Sequence, residues 1–168
     1  MVIKIIDRIT KVAAFISAWM LFGIGAMVTF EVIMRKVFNS PTIWVDETSR
    51  FCLVWAVYLA SAHILKKREL ITVELFTVSL SAAKLKVLEF FALTVIAIFS
   101  AVATYYGAEV VLESIEMGRK TSSMLGVPKW ITESAVPVGF GLLLIQAVVE
   151  MIKLAKGGEV AAIAKHKI

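Results

Sequence analysis

Two stretches of nineteen residues, Val12 to Phe30 and Phe90 to Ala108, contain no Asp, Glu, Lys or Arg. A hydrocarbon core of roughly 30 Å is crossed by about 20 apolar helical residues. Backbone polar groups inside that core must pair within their own segment, so a single crossing stretch has to be helical. Two shorter charge-free runs follow the same logic, Phe51 to Leu65 with 15 residues and Ser134 to Val149 with 16. Each is preceded by a tryptophan, Trp44 or Trp130, whose amphipathic ring suits the membrane–water boundary. The pattern predicts an all-α integral membrane protein with four transmembrane helices, at about 10–34, 44–65, 88–112 and 130–152. Composition agrees, since only 18% of the 168 residues are charged, against about 25% in soluble domains.

The basic residues set the expected orientation. Lys4, Arg8 and Lys11, the 66–87 loop and the tail together carry twelve Lys and Arg, and the other two loops carry six. The positive-inside rule then puts both termini and the middle loop in the cytoplasm, of a bacterial or archaeal inner membrane on the family resemblance given below. The net charge of +5 follows from topology, and nucleic acid is not an expected partner. The first apolar run exceeds the roughly 7–15 residues of a signal-peptide core and lacks a small-x-small cleavage site, so it reads as a retained span. The single cysteine, Cys52, excludes an intramolecular disulfide and reads as a small buried apolar residue.

The connections are shaped by identifiable residues. Asn39-Ser40-Pro41 is a turn signal, with Ser40 as the expected cap and Pro41 as the first helical residue of the second span. In the middle loop, LITVELFTVSLS (70–81) is too short to cross. It suits a short amphipathic segment in the membrane interface or a helix docked on a partner. The third span is expected to continue as a helix past the membrane, placing Glu109, Glu113 and Glu116 on one face, either simply solvated or available for docking. Gly118, Gly126 and Pro128 then break the chain. Pro137 with Gly139 and Gly141 predicts a kink or a close helix approach, hence a packing or partner surface. Residues 1–155 form the expected membrane domain and 156–168 a cytoplasmic tail.

Signatures of enzymes are missing: there is no phosphate loop, nucleophile elbow or HExxH. Haem ligation wants facing histidines, but His63 lies near a span end and His166 in the tail, so no cofactor or metal is expected. A transport path within one chain needs ionisable groups near mid-membrane, whereas Glu31 and Glu133 fall at outer ends. Asp46, Glu47 and Arg50 can share one side of the second span's first turns, with the acids near the positive end of the helix dipole. They form either a self-satisfied anchor or a site where Arg50 reaches a carboxylate of another span or subunit.

The first span's end EVIMRKVFNSP, the opening IWVDETSRF, the basic middle loop and SSMLGVPKWITESAVPVGFGLL (122–143) occur in an order that resembles the small membrane subunit, DctQ type, of tripartite ATP-independent periplasmic (TRAP) transporters. The resemblance covers about residues 5 to 152. It departs at Leu70, where the family often has histidine, and at Lys36, a commonly aromatic position. It implies a non-catalytic subunit that scaffolds a large membrane subunit and helps dock a periplasmic substrate-binding protein for sodium-driven uptake of an organic acid. Trp44, Glu47 and Arg50 would belong to the family signature, fixing the helix entrance and its packing. Two other readings fit the apolar composition. One is a self-sufficient proton-coupled exporter with Glu31 as proton site, and the other is a membrane anchor of a redox enzyme.

Overall fold

The computed structural model describes residues 2–67, 82–123 and 126–155. Five helical segments are found among them: α1 (Val2–Lys36), α2 (Ile43–Lys66), α3 (Ala82–Glu116), α4 (Trp130–Glu133) and α5 (Ala135–Ala155). The first three, and α4 with α5 taken as one 26-residue stretch, are each long and apolar enough to cross a membrane. At 35 residues, α1 and α3 are each about 52 Å long, well beyond the hydrocarbon thickness. Charged turns at both ends of the apolar cores propagate the helix, because helical extension adds one hydrogen bond per residue fixed. The short segment expected at 70–81 and the tail from 156 lie outside the described residues.

The turns obey their sequence signals with one difference. Asn39 adopts φ +50°, a left-handed conformation that asparagine tolerates better than most residues, and Ser40 N–H returns to the Met34 carbonyl at 3.1 Å. The cap of α2 is Thr42, in extended conformation, and the helix starts at Ile43. Ser40 and Pro41 therefore precede the cap instead of forming it. The reason is Glu31, 5% exposed, whose carboxylate accepts the Thr42 N–H at 3.1 and 3.2 Å and also the Thr42 hydroxyl. A carboxylate from the end of α1 satisfies the start of α2, so the chain needs no local cap. At the end of α3, Gly118 takes φ +58° while Arg119 N–H bonds Ser114 O at 3.0 Å and Gly118 N–H bonds Ile115 O at 3.1 Å. That is the paired bonding of a glycine-terminated helix.

The spans pack as an open row. α1 lies along α2, α2 along α5 and α5 along α3, while α1 touches α5 only lightly. Each seam has its own device. Ser17 donates to the Ala56 carbonyl at 2.7 Å across α1 and α2, replacing an apolar contact with a buried hydrogen bond. On the α2–α5 seam Gly139 sits directly against Tyr58, so close that a Cβ there would lie 3.0 Å from the Tyr58 carbonyl oxygen. On the α3–α5 seam Gly107 lets Val136 and Pro137 approach, at 3.1 and 3.2 Å from where a Cβ would be. Without water to drive helices together, small residues that permit backbone approach are what hold membrane helices by dispersion. Phe140 joins the two seams, edge-on to Tyr58 at 5.5 Å and to Phe99 at 5.6 Å. The buried cluster below it is Leu65, Leu93, Ala97, Leu143, Ala147 and Leu154.

Pro137 is the third residue of α5, where a missing N–H costs little. The chain turns only slightly at Ser134, with Ser134 N–H to Trp130 O at 2.9 Å and Val138 N–H to Ser134 O at 3.2 Å. Of the two expected roles for 137–141, the structure displays the close approach. An open row leaves both of its broad faces uncovered, and large apolar side chains such as Phe15, Trp19, Phe22, Phe91 and Ile98 are exposed along α1 and α3. In water this would be untenable; in a bilayer it is the normal surface.

Candidate functional site

Polar residues gather at the two ends of the row. At the end that carries the α1–α2 and α3–α4 connections, α2 begins beside a cleft of about 600 Å³. Arg35 from α1, Ile43, Asp46, Glu47 and Arg50 from α2, and Thr121 to Ser123 from the α3–α4 loop line it. On α2 the spacing i, i+3, i+4, i+7 brings the lining residues to one stripe.

Glu47 is the best-held of them, at 8% exposed. Its Oε1 accepts the Thr121 hydroxyl at 2.8 Å and the Ser123 hydroxyl, and the two hydroxyls are themselves 2.7 Å apart. The loop is shaped to deliver them. Thr121 N–H bonds Val127 O at 2.9 Å, Lys129 N–H bonds Arg119 O at 3.0 Å, and Gly126 turns the tip with φ +58°. Pro128 pairs with Lys120 in an isolated antiparallel bridge, which needs no N–H from the proline. Glu47 therefore ties the start of α2 to the loop 74 residues further on.

This overturns the self-satisfied anchor. Arg50 is exposed and Asp46 is exposed, and among the described residues the ion pairs of this end are Arg35–Glu31 at 2.8 Å and Arg119–Glu113 at 3.0 Å. Neither Glu47 nor Asp46 closes on Arg50, because the Glu47 carboxylate is drawn toward the two hydroxyls. Trp44 packs its ring beside Phe30 at 6.4 Å, and Trp130 is exposed. Of the three glutamates expected on one face of α3, Glu113 is engaged by Arg119 while Glu109 and Glu116 are exposed. Glu31 is fully employed by Arg35 and Thr42. Cys52 is half-buried in α2, less enclosed than its residue type suggests.

The other end holds a network that the sequence did not announce. Lys153 Nζ lies 3.2 Å from Asp7 and 2.8 Å from Glu150, and Lys66 Nζ lies 3.4 Å from Asp7. Gln146 donates to Glu150 at 2.9 Å. Two acids and two lysines thus pair across α1, α2 and α5, with Glu150 only 3% exposed. The available signal was Asp7, a single acid among Lys4, Arg8 and Lys11, together with Gln146, Glu150 and Lys153 recurring on one face of α5. Trp55 was also missed; its indole N–H donates to Ile131 O at 3.0 Å and fastens α4 to α2.

Four helices long and apolar enough to cross a membrane, each with a charge-free central stretch, define a multi-pass helical membrane protein. No curated protein sequence matches the chain. The family of tripartite ATP-independent periplasmic transporters, DctQ component, matches residues 24–157. The chain belongs to that family, as a small membrane component of a transporter that works with a large membrane subunit and a periplasmic binding protein.

Proposed function

We propose that this chain acts as the non-catalytic scaffold of its transporter, carrying the large subunit in the bilayer and contributing to the docking surface for the binding protein. The observation behind this reading is the absence of charge from the middle of the row. Among the described residues, Asp, Glu, Lys and Arg are absent from 12–30, 51–65, 90–108 and 134–149, the central stretches of the four spans. The buried polar groups within those stretches are neutral, Ser17, Ser100 and Gln146, and the rest are small or apolar side chains. A coupled pathway needs ionisable or interrupted-helix sites at mid-depth, so substrate and ion must pass through another subunit. In this reading the passage is sodium-driven uptake of an organic acid, as the family resemblance suggests.

Residues 1–155 then form the membrane domain. The termini and the tail from 156 lie in the cytoplasm of a bacterial or archaeal inner membrane, and the cleft end faces the periplasm. Trp44 and Trp130 set the outer boundary, while Glu47, Pro128 and Pro137 hold the helix ends in position. The exposed faces of α1 and α3 receive the large subunit or lipid. Glu109 and Glu116, free on the outer end of α3, offer negative charge to the binding protein. Glu31 is a poor proton site, since proton exchange would undo the cap of α2.

The test is reconstitution. Liposomes with this chain alone should show no sodium-dependent uptake, and liposomes with the large subunit and binding protein added should show it. Uptake by the isolated chain that vanishes in Glu31→Gln would replace the scaffold with the exporter.

A further inference from the structure

The geometry points to a zwitterionic phospholipid site in the cleft at the start of α2, taking a head group that carries a primary ammonium outside a phosphate. This goes beyond the scaffold role and rests only on α2 crossing a bilayer. The argument starts from charge order. α2 enters the apolar region from Ile43, so Arg50 lies one helical turn, about 6 Å, deeper than Asp46. Both are exposed and both line the cleft. Among the described residues neither belongs to an ion pair.

An exposed guanidinium lining the inner part of the cleft is a ready partner for an anion. Phosphate matches its fork of donors. Arg35 adds to the same wall: it spends Nε and one terminal nitrogen on Glu31, leaving further N–H donors on a guanidinium that is 57% exposed. A simple anion would nevertheless meet the Asp46 carboxylate one turn outward. Like charge at that distance repels a carboxylate or a purely anionic head group. An ammonium outside the phosphate turns that repulsion into attraction at Asp46. Phosphatidylethanolamine has this order, ammonium outermost, phosphate beneath, and acyl chains continuing inward past Phe51, the deepest α2 residue that lines the cleft.

The Glu47 bonds to Thr121 and Ser123 keep the outer wall in place, which gives the site a fixed shape without bringing Glu47 to the ligand. The cleft is therefore built from three separate stretches of chain held by their own hydrogen bonds, with its two unpaired charges in the sequence that one lipid class presents.

The full chain in nanodiscs containing equal phosphatidylethanolamine and phosphatidylglycerol, released for native mass spectrometry, tests this. Wild type should retain phosphatidylethanolamine preferentially. Arg50→Gln should lower that retention about tenfold, the loss of one charge-assisted contact. Asp46→Asn should shift preference toward phosphatidylglycerol, and Lys36→Gln, outside the cleft, should change nothing. Asp46 is exposed, so unchanged thermal stability of Asp46→Asn separates lost selectivity from misfolding. Retention unaffected by Arg50→Gln and Asp46→Asn overturns the site, as does a wild-type preference for phosphatidylglycerol. Displacement by millimolar inorganic phosphate would reduce it to an anion pocket. A photo-crosslinking side chain at Phe51 that captures the large subunit instead of lipid in the assembled transporter would assign the cleft to protein.

Discussion

Gly139→Ala perturbs the α2–α5 seam at its narrowest point. The added methyl would collide with the Tyr58 Cβ and lie 3.0 Å from its carbonyl oxygen and 3.1 Å from its carbonyl carbon. None of these is the far end of a flexible side chain, so relief requires α2 and α5 to separate. Overpacking of this kind costs about 1–3 kcal/mol. Alanine returns at most about 1 kcal/mol of helix propensity, and less in a bilayer, where the separated helices are already formed. The net loss is about 1–2 kcal/mol. Separation also loosens the Tyr58–Phe140 ring pair at 5.5 Å. With a Tm sensitivity of roughly 2–4 °C per kcal/mol for a chain of this size, the melting temperature in detergent should fall by about 2–8 °C. Two matched substitutions serve as controls. A Cβ at Gly141 meets Thr104 at an ordinary 4.0 Å, and one at Gly25 meets nothing within 4 Å, so both alanine variants should melt at or slightly above wild type. Equal melting of Gly139→Ala and Gly141→Ala would refute the close-approach account.

Two other substitutions probe the polar ends. Glu47→Ala removes the acceptor of the Thr121 and Ser123 hydroxyls; hydrogen exchange should rise through 119–129, with a stability loss of about 1–3 kcal/mol, and Glu47→Gln should recover part of it. An unchanged exchange pattern would show that the loop holds itself. Lys153→Ala should destabilise more than Lys66→Ala, by about 1–2 kcal/mol, because Lys153 serves both Asp7 and buried Glu150 while Lys66 serves Asp7 alone. Detergent melts of the two variants compare them directly, and a larger effect of Lys66→Ala would contradict the network.

Much of the chain's architecture could be read before any coordinates. Charge-free runs of nineteen residues demand helices, since hydrocarbon offers no partner for a backbone N–H, and Gly118 and Asn39 marked turns through conformations that few residues accept. The expected cap at Ser40 failed for a different reason. Capping strength was judged from neighbours in sequence, whereas Glu31, eleven residues back, supplied the acceptor. Between the two readings left open for Asp46, Glu47 and Arg50, helical spacing could not choose, because it shows which side chains are able to meet and says nothing of a competing hydroxyl at Thr121 or Ser123.

The sequence by itself determined that the chain spans a membrane, how many times, and that no charge would sit at mid-depth, because each follows from transfer free energy residue by residue. Only the tertiary structure decided that the spans form an open row in the order α1, α2, α5, α3, that Gly139 is the tight contact, and that Asp7, Lys66, Glu150 and Lys153 converge. Those outcomes depend on which helix faces meet, and in a bilayer every apolar face is an acceptable one. Small residues and a few buried polar partners, far apart in sequence, choose among them.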